Sequence, residues 1–325
     1  MATIMEVAEL AGVSVATVSR TLNDSGYVGD EARAKVEQAV KDLNFYPNEV
    51  ARSLYNKQSK IVGLLLPDIS NPYFTLLAKG AEDCLNEAGF ALLLANTQDM
   101  ESKVAEYAQS FASNNIAGVL SVEPLESASL SGIPVVHLDR VVGKHEYAVL
   151  GDDFQGGVLS AQVILAGEPK RLVVMVGPKD VPTGEERLRG VQSVLDQANV
   201  PYELFQTKSY RVKDAQETVN ELFATFPDMD SIIATNDVYG AIIIREALKR
   251  GIHIPNELQI IGYDNSSFSG LVYPGLSTIY HPAYDIGYIG AHVLCRLIHD
   301  QAVDDKVIQL PVALVERESL RKKVN

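Results

Sequence analysis

Thirteen residues near the start of the chain, Ala8-Glu9-Leu10-Ala11-Gly12-Val13-Ser14-Val15-Ala16-Thr17-Val18-Ser19-Arg20, constrain its fold more than any other stretch. A short helix reaches a glycine that is free to adopt positive φ, the chain turns, and a serine restarts it. Upstream, Thr3 and Glu6 have the T-x-x-E spacing of a capping box, which fixes the start of the first helix. Ala8, Leu10 and Ala11 supply the apolar face of that helix. Ser14 caps the second helix through the amide of Thr17, and Val18 and Leu22 give it a buried side. A third helix is expected from about 31 to 43, with Val36, Ala39, Val40 and Leu43 as its stripe. This is the spacing of a helix-turn-helix, whose second helix lies in the DNA major groove. Val15, Ala16 and Arg20 fall on its exposed part. An arginine there can donate a bidentate pair to guanine, and small apolar side chains can meet a thymine methyl.

Behind it lies Phe45-Tyr46-Pro47-Asn48-Glu49-Val50-Ala51-Arg52-Ser53-Leu54, a linker with a proline near its start and a helical turn or two after it. The stretches A-G-V-S-V-A-T-V-S-R, Y-P-N-x-x-A-R-S-L and P-D-I-S-N-P-Y-F, the last beginning at Pro67, together resemble the lactose/galactose repressor (LacI/GalR) family, and the likeness spans essentially the whole chain. The resemblance implies that the linker orders as a helix on DNA and that a leucine, by position Leu54, wedges into a base step of the minor groove. The set expected to face DNA is therefore Thr3, Ser14, Val15, Ala16, Thr17, Arg20, Asn23, Tyr46, Asn48, Ala51, Arg52 and Leu54. The chain departs from the family pattern in Met5-Glu6, where Asp-Val is usual, and in Gly29, where serine commonly caps the third helix.

The DNA-facing segment is not basic. Residues 1–60 hold seven Lys/Arg against eight Asp/Glu, and the whole chain carries a net charge of −14. A basic footprint is the usual mark of a nucleic-acid binder. Its absence predicts modest non-specific affinity, with binding carried by base contacts and linker insertion more than by bulk attraction to phosphate.

The remaining residues alternate apolar strands with amphipathic helices. Strands are expected at Ile61–Leu66, 91–95, 117–122, Val135–Leu138 and 148–150, then at Leu172–Val176, 231–235, 259–263 and Ser277–Tyr280. Helices are expected at 74–88, 184–197, 215–226 and 238–250. Runs of Val, Ile and Leu separated by helices imply parallel sheets covered on both faces. The expected architecture is an N-terminal all-α helix-turn-helix domain (1–46), a hinge linker (47–59) and an α/β periplasmic-binding-protein-like core (60–325). That core comprises two doubly wound parallel-sheet lobes, the first about 60–160 and 290–320, the second about 161–289.

In such sheets ligands bind outside the carboxyl ends of the strands, here a cleft between the lobes. Polar clusters follow the strands: Asp68 and Asn71-Pro72-Tyr73-Phe74, Asp139-Arg140, Asp152-Asp153, Asn236-Asp237, Asp264 and His281, with Arg187 and Arg189 near a helix start. Carboxylates, amides and guanidiniums bind vicinal hydroxyls, and aromatic faces stack on sugar rings. Each strand-end carboxylate also reads as a helix cap or turn former. The core resembles periplasmic sugar-binding proteins, especially those for ribose. On that resemblance Asn71, Tyr73, Phe74, Asp139, Arg140, Arg187, Asn236, Asp264 and His281 line the pocket, with Tyr210 as a further stacking ring. His281 stands where glutamine is more usual.

Enzymatic motifs are missing: there is no dinucleotide fingerprint, phosphate-binding loop, nucleophile elbow or H-E-x-x-H. The six histidines show no metal-ligand spacing, and Cys84 and Cys295 read as small buried hydrophobes. No cofactor or metal is expected. No 18-residue apolar run occurs and the N-terminus lacks a signal-peptide pattern, so a cytoplasmic protein with no membrane contact is expected. The end, Arg321-Lys322-Lys323-Val324-Asn325, has no leucine heptad, which points to a homodimer rather than a tetramer. These readings converge on a repressor of a palindromic operator that a small sugar releases. Ribose comes first, and sucrose or another sugar next. Two alternatives stay open: a regulator tightened on DNA by a purine or a phosphorylated protein partner, and a stand-alone sugar-binding protein.

Overall fold

In the computed structural model, residues 2–45, 59–125, 130, 132–140, 147–179 and 181–322 are described. The chain divides into two units, Met1–Ser59 and Lys60–Asn325.

The first unit contains α1 (Ile4–Ala11), α2 (Val15–Asn23) and α3 (Asp30–Asp42). The expected capping box forms, with the Thr3 amide donating to Glu6 at 2.7 Å and the Glu6 amide donating to Thr3 Oγ1 at 3.3 Å. Gly12 adopts φ 65°, which closes α1. Ser14 then caps α2 by accepting from the Thr17 amide at 3.1 Å. The core differs at one position from the sequence reading. Leu10 is 55% exposed, and Val7 takes the buried place with Ala8, Ala11, Val18, Val36 and Ala39. Val7, Ala8 and Ala11 form the arc of α1 that packs on α2 and α3, and Leu10 falls just outside it. Gly29 stands at the N-cap of α3 without a side-chain bond.

The second unit holds two sheets of parallel strands. The first has the order β11-β5-β4-β3-β1-β2, built from β1 (Ile61–Leu66), β2 (Ala91–Asn96), β3 (Gly118–Ser121), β4 (Val135–Leu138), β5 (Ala148–Gly151) and β11 (Val307–Leu310). The second has the order β12-β10-β9-β8-β6-β7, from β6 (Leu172–Val176), β7 (Tyr202–Gln206), β8 (Ser231–Ile233), β9 (Gln259–Asp264), β10 (Ser277–Tyr280) and β12 (Ala313–Val315). Only β12 runs antiparallel to its neighbour within the described residues. The two sheets repeat one winding, and in each the order reverses beside the first strand, the place where open α/β sheets leave a crevice. β7 was not expected. Its Tyr-Glu-Leu-Phe-Gln sequence buries little beyond Phe205, as an edge strand does.

Helices α4 (Pro72–Glu87), α5 (Glu101–Ser113) and α10 (Ala283–Ile298) cover the first sheet, and α6 (Asp153–Ala166), α7 (Pro182–Gln197), α8 (Val212–Thr225) and α9 (Asp237–Lys249) the second. The lobe bounds differ from expectation. The chain leaves the first lobe at Asp152, returns with α10, and leaves again after β11. Hence β12 and the buried Leu320 belong to the second lobe rather than the first. Among the described residues no helix is long and apolar enough to cross a membrane.

One close contact sets the geometry of the cleft. Where α6 crosses α7, a Cβ at Gly157 would overlap the Arg187 carbonyl, and one at Gly190 would overlap that of Phe154. The reciprocal glycines bring the two backbones together, so Gly157→Ala should lower stability by about 1–3 kcal/mol through overpacking. A urea midpoint equal to wild type would show that this contact yields freely.

Candidate functional site

The carboxyl ends of the strands converge on one crevice, lined by Asn71, Tyr73, Phe74, Asp139, Arg140, Thr183, Arg187, Tyr210, Thr235, Asn236 and Asp264. Nine of the ten residues expected there are present. Local sequence explains their placement. Asn71 and Asn236 are N-caps, accepting from the Tyr73 and Tyr239 amides at 3.0 and 3.1 Å. Both fix helix starts at the crevice wall and still line it. Asp139 (φ 58°) and Asp264 (φ 102°) sit directly beyond and at the end of their strands in left-handed backbone, a conformation that costs about 1–3 kcal/mol per residue and gathers at functional sites.

His281, the tenth, does not line the crevice. It lies a layer beneath, 1% exposed, stacked on Tyr73 with ring centroids 5.1 Å apart. Its Nε2 lies 3.8 Å from Asp139 Oδ1 and 3.9 Å from Asp153 Oδ1, and neither ring nitrogen has a hydrogen-bond partner. Tyr73 donates to Asp139 at 2.6 Å. Arg187 Nε donates to Asp153 at 2.7 Å and its Nη1 to the Thr235 carbonyl at 3.1 Å, while Tyr263 donates to Asp153 at 3.1 Å. The Arg187 guanidinium also lies 3.6 Å from the Tyr263 ring centroid. A continuous path therefore runs from Tyr73 and Asp139 in the first lobe, past His281 at a crossover, to Asp153 and Arg187 in the second.

The sequence left Asp152 and Asp153 undecided between cap and site. Asp152 caps α6 through the Gln155 amide, and Asp68 accepts from the Ser70 amide in its turn. Asp153 is 6% exposed and holds Arg187. Sequence reasoning missed Thr183, Thr235 and Tyr263, which carry no motif. The adjacent Asp139-Arg140 is not an ion pair: the carboxylate partner of Arg140 is Asp99, at 2.9 Å. The Arg140 guanidinium lies between Phe74 and Tyr210, 5.2 and 5.7 Å from their centroids. Arg189 is exposed and pairs with Glu186.

Burial holds the His281 imidazole below its ordinary value, against the pull of Asp153 and Asp139. Enclosure by protein pushes the Asp264 carboxyl well above the carboxylate range, with Arg187 opposing and Asp237, Asp139 and Asp153 adding to the shift. Asp139, Asp153 and His281 each offer a donor atom within 4.8 Å of one another. The oxygens are committed to Tyr73, Tyr263 and Arg187, and the guanidinium opposes a further cation, so the arrangement suits hydroxyl groups better than a metal.

The lowered imidazole value gives a pH test. Such a group contributes stability that is full above its unfolded value of 6.5 and is lost as pH falls below it. From about pH 7 to about pH 5, the melting midpoint of wild type should therefore fall more steeply than that of His281→Gln. Parallel slopes would place the titration elsewhere.

Of the residues expected on DNA, Val15, Ala16 and Arg20 form the exposed flank of α2, with Val15 42% exposed. Ser14 and Thr17 are joined at 2.9 Å beside them, Thr3 is held in its capping box, and Asn23 Nδ2 contacts Ser19 at 3.3 Å. Tyr46, Asn48, Ala51, Arg52 and Leu54 lie outside the described residues.

Residues 3–48 match the model of the bacterial regulatory proteins of the lacI family, and residues 165–320 that of the periplasmic binding protein-like domain. The ribose operon repressor of Bacillus subtilis is 46% identical over 99% of both chains. A lac repressor structure bound to ONPG shares the fold, with a TM-score of 0.88 at 21% identity over 98% of this chain and 99% of that one. A LacI family transcriptional regulator from Enterococcus faecium with bound ribose aligns at 26% identity and a TM-score of 0.73, over 82% of this chain and all of that one. At 46% identity to the Bacillus subtilis repressor over 99% of its length, the chain belongs to the LacI family of bacterial regulatory proteins.

Proposed function

We propose that this protein is a sequence-specific DNA-binding repressor of a sugar-utilisation operon, released from a palindromic operator by a small neutral sugar, with ribose the first candidate. One observation carries the choice of ligand: both crevice guanidiniums already have carboxylate partners, Arg187 with Asp153 and Arg140 with Asp99. No arginine of the crevice is left as a free cation for a phosphate. The amides of Asn71 and Asn236, the carboxylates and the buried Thr235 hydroxyl suit several neutral hydroxyls, and Phe74 and Tyr210 offer flat faces to a ring. The ribose operon repressor and the ribose-bound regulator among its relatives support the same sugar. The same argument weighs against a small phosphorylated effector in the crevice; the alternative of a regulator tightened on DNA by a purine or a phosphorylated protein partner does not depend on it. The repressor relatives likewise set aside an enzyme or a stand-alone carrier.

The mechanism follows from the path across the crevice. A sugar held by Tyr73 and Asp139 from one lobe and by Arg187 and Asn236 from the other favours closure. It shifts the equilibrium only by its differential affinity for the closed state, commonly about 1–3 kcal/mol of coupling. Two subunits of a cytoplasmic homodimer place their second helices in successive major grooves of a palindrome, with Leu54 of each wedged at its centre. Closure withdraws the linkers and releases the DNA.

Two substitutions separate the halves of this reading. Asp139→Ala should abolish ribose binding in calorimetry and leave operator binding within about twofold. If ribose still binds the variant as tightly as wild type, the crevice assignment is wrong. Leu54→Ala should weaken specific operator binding at least about tenfold more than binding to random duplex, and equal losses would remove the wedge.

A further inference from the structure

The lobes are also joined outside the crevice. Asp99, just beyond the end of β2, lies between two arginines: Arg140 Nη1 at 2.9 Å from its Oδ1 and Arg211 Nε at 3.6 Å from its Oδ2. Arg211, from the second lobe, also donates through Nη2 to the Gln98 carbonyl at 2.6 Å. Neither Asp99 nor Arg211 lines the crevice. Both are nevertheless one step from it, because Arg140 rests against Phe74 and Tyr210, and Tyr210 immediately precedes Arg211 in the chain.

Each arm of this contact is fixed. Gln98 and Asp99 adopt φ 60° and 55°, left-handed values that L side chains occupy only when the surroundings impose them. The turn is pinned by the Gln98 amide donating to the Pro67 carbonyl at 2.7 Å and by Lys103 donating to the Gln98 side chain at 3.0 Å. On the other side, the Arg211 amide donates to Ser209 Oγ at 3.0 Å, and that hydroxyl donates to Asp214 at 2.7 Å. Tyr239 donates to the Ser209 carbonyl at 2.8 Å. Two rigid loops of opposite lobes thus meet through one carboxylate and one carbonyl. A loop strained on one side and tied down on both is unlike a chance surface ion pair, whose long side chains are free.

We propose that Asp99 and Arg211 form an inter-lobe bridge that positions Arg140 in the effector crevice and ties occupancy of the crevice to lobe closure. Asp99 is the shared element. When Arg211 pulls it across, the same carboxylate holds the Arg140 guanidinium beside Phe74. Opening the lobes breaks the Arg211 arm and leaves Asp99 to Arg140 alone. The bridge rests on the sugar reading only for its functional consequence, since the contact between lobes exists without a ligand.

The test uses the full-length chain, a labelled operator duplex and ribose. Arg211→Gln should raise the ribose concentration for half-release about three- to tenfold, and sugar-free operator binding should tighten, never weaken, because the open form holds the DNA. Asp99→Asn should do at least as much, and adding Arg211→Gln to it should cost little more, because both act on one link. Arg211→Lys should restore part of the response. Ribose is uncharged, so the salt dependence of its affinity reports this partly exposed bridge. Wild-type affinity should fall with salt, and that of Arg211→Gln should fall less, since the Asp99–Arg140 pair remains. Small-angle scattering without sugar reads the bridge separately, and Arg211→Gln should shift the population toward a more open form. Failure of wild type to respond to ribose would count against the sugar reading alone. A scattering profile unchanged by Arg211→Gln overturns the bridge whatever ribose does, as would equal half-release concentrations and equal salt slopes.

Discussion

The buried Asp153–Arg187 pair is the interaction on which the crevice depends. Its 2.7 Å contact exists because Gly157 and Gly190 let α6 and α7 approach backbone to backbone, which places the two side chains on facing turns. Taking one partner from such a pair leaves an uncompensated charge and costs about 3–5 kcal/mol. Once paired, Arg187 serves as a neutralised hydrogen-bonding plate, fixed to the Thr235 carbonyl and laid on Tyr263. That neutralisation sets the chemistry of the site, because it turns two arginines and several carboxylates into a surface for hydroxyl groups instead of an anion trap.

The pair also gives His281 its environment. The imidazole sits at a crossover between lobes, facing one carboxylate from each, with burial keeping it uncharged. A neutral ring in that place can move with either lobe without breaking an ion pair, which suits a position that must tolerate opening and closing. The strain stored at Asp139 and Asp264, one on each lobe, is the complementary device: rigid presenters on the walls and an uncommitted group at the pivot.

Much of this was legible in the sequence because it rests on local signals. The capping box, Gly12 and the Ser14 cap specify the helix-turn-helix within a few residues. Continuous Val/Ile/Leu runs specify the buried strands, and the polar residues following them specify the crevice. What was not legible depends on contacts between distant segments. Leu10 and Val7 are both apolar, and only the packing of α1 on its neighbours decides which is buried. Asp152 and Asp153 are adjacent carboxylates, and only the direction of α6 makes one a cap and the other a partner of Arg187. The sequence placed Arg140 beside Asp139, whereas a turn 41 residues upstream supplies its true partner, Asp99. Pro311 marks a break after β11, but a breaker does not say which sheet the chain joins next, and β12 pairs with β10 of the second lobe through contacts that only the fold creates.

The central claim is that a crevice whose arginines are already paired reads an uncharged sugar and reports it to the DNA-binding unit. It is tested most directly by fluorescence anisotropy of a labelled palindromic operator bound to the purified protein, titrated in parallel with ribose and with ribose 5-phosphate. The account predicts release by ribose at concentrations where the phosphate ester has no effect. Release or tightening by the phosphate ester, with ribose inert, would contradict it.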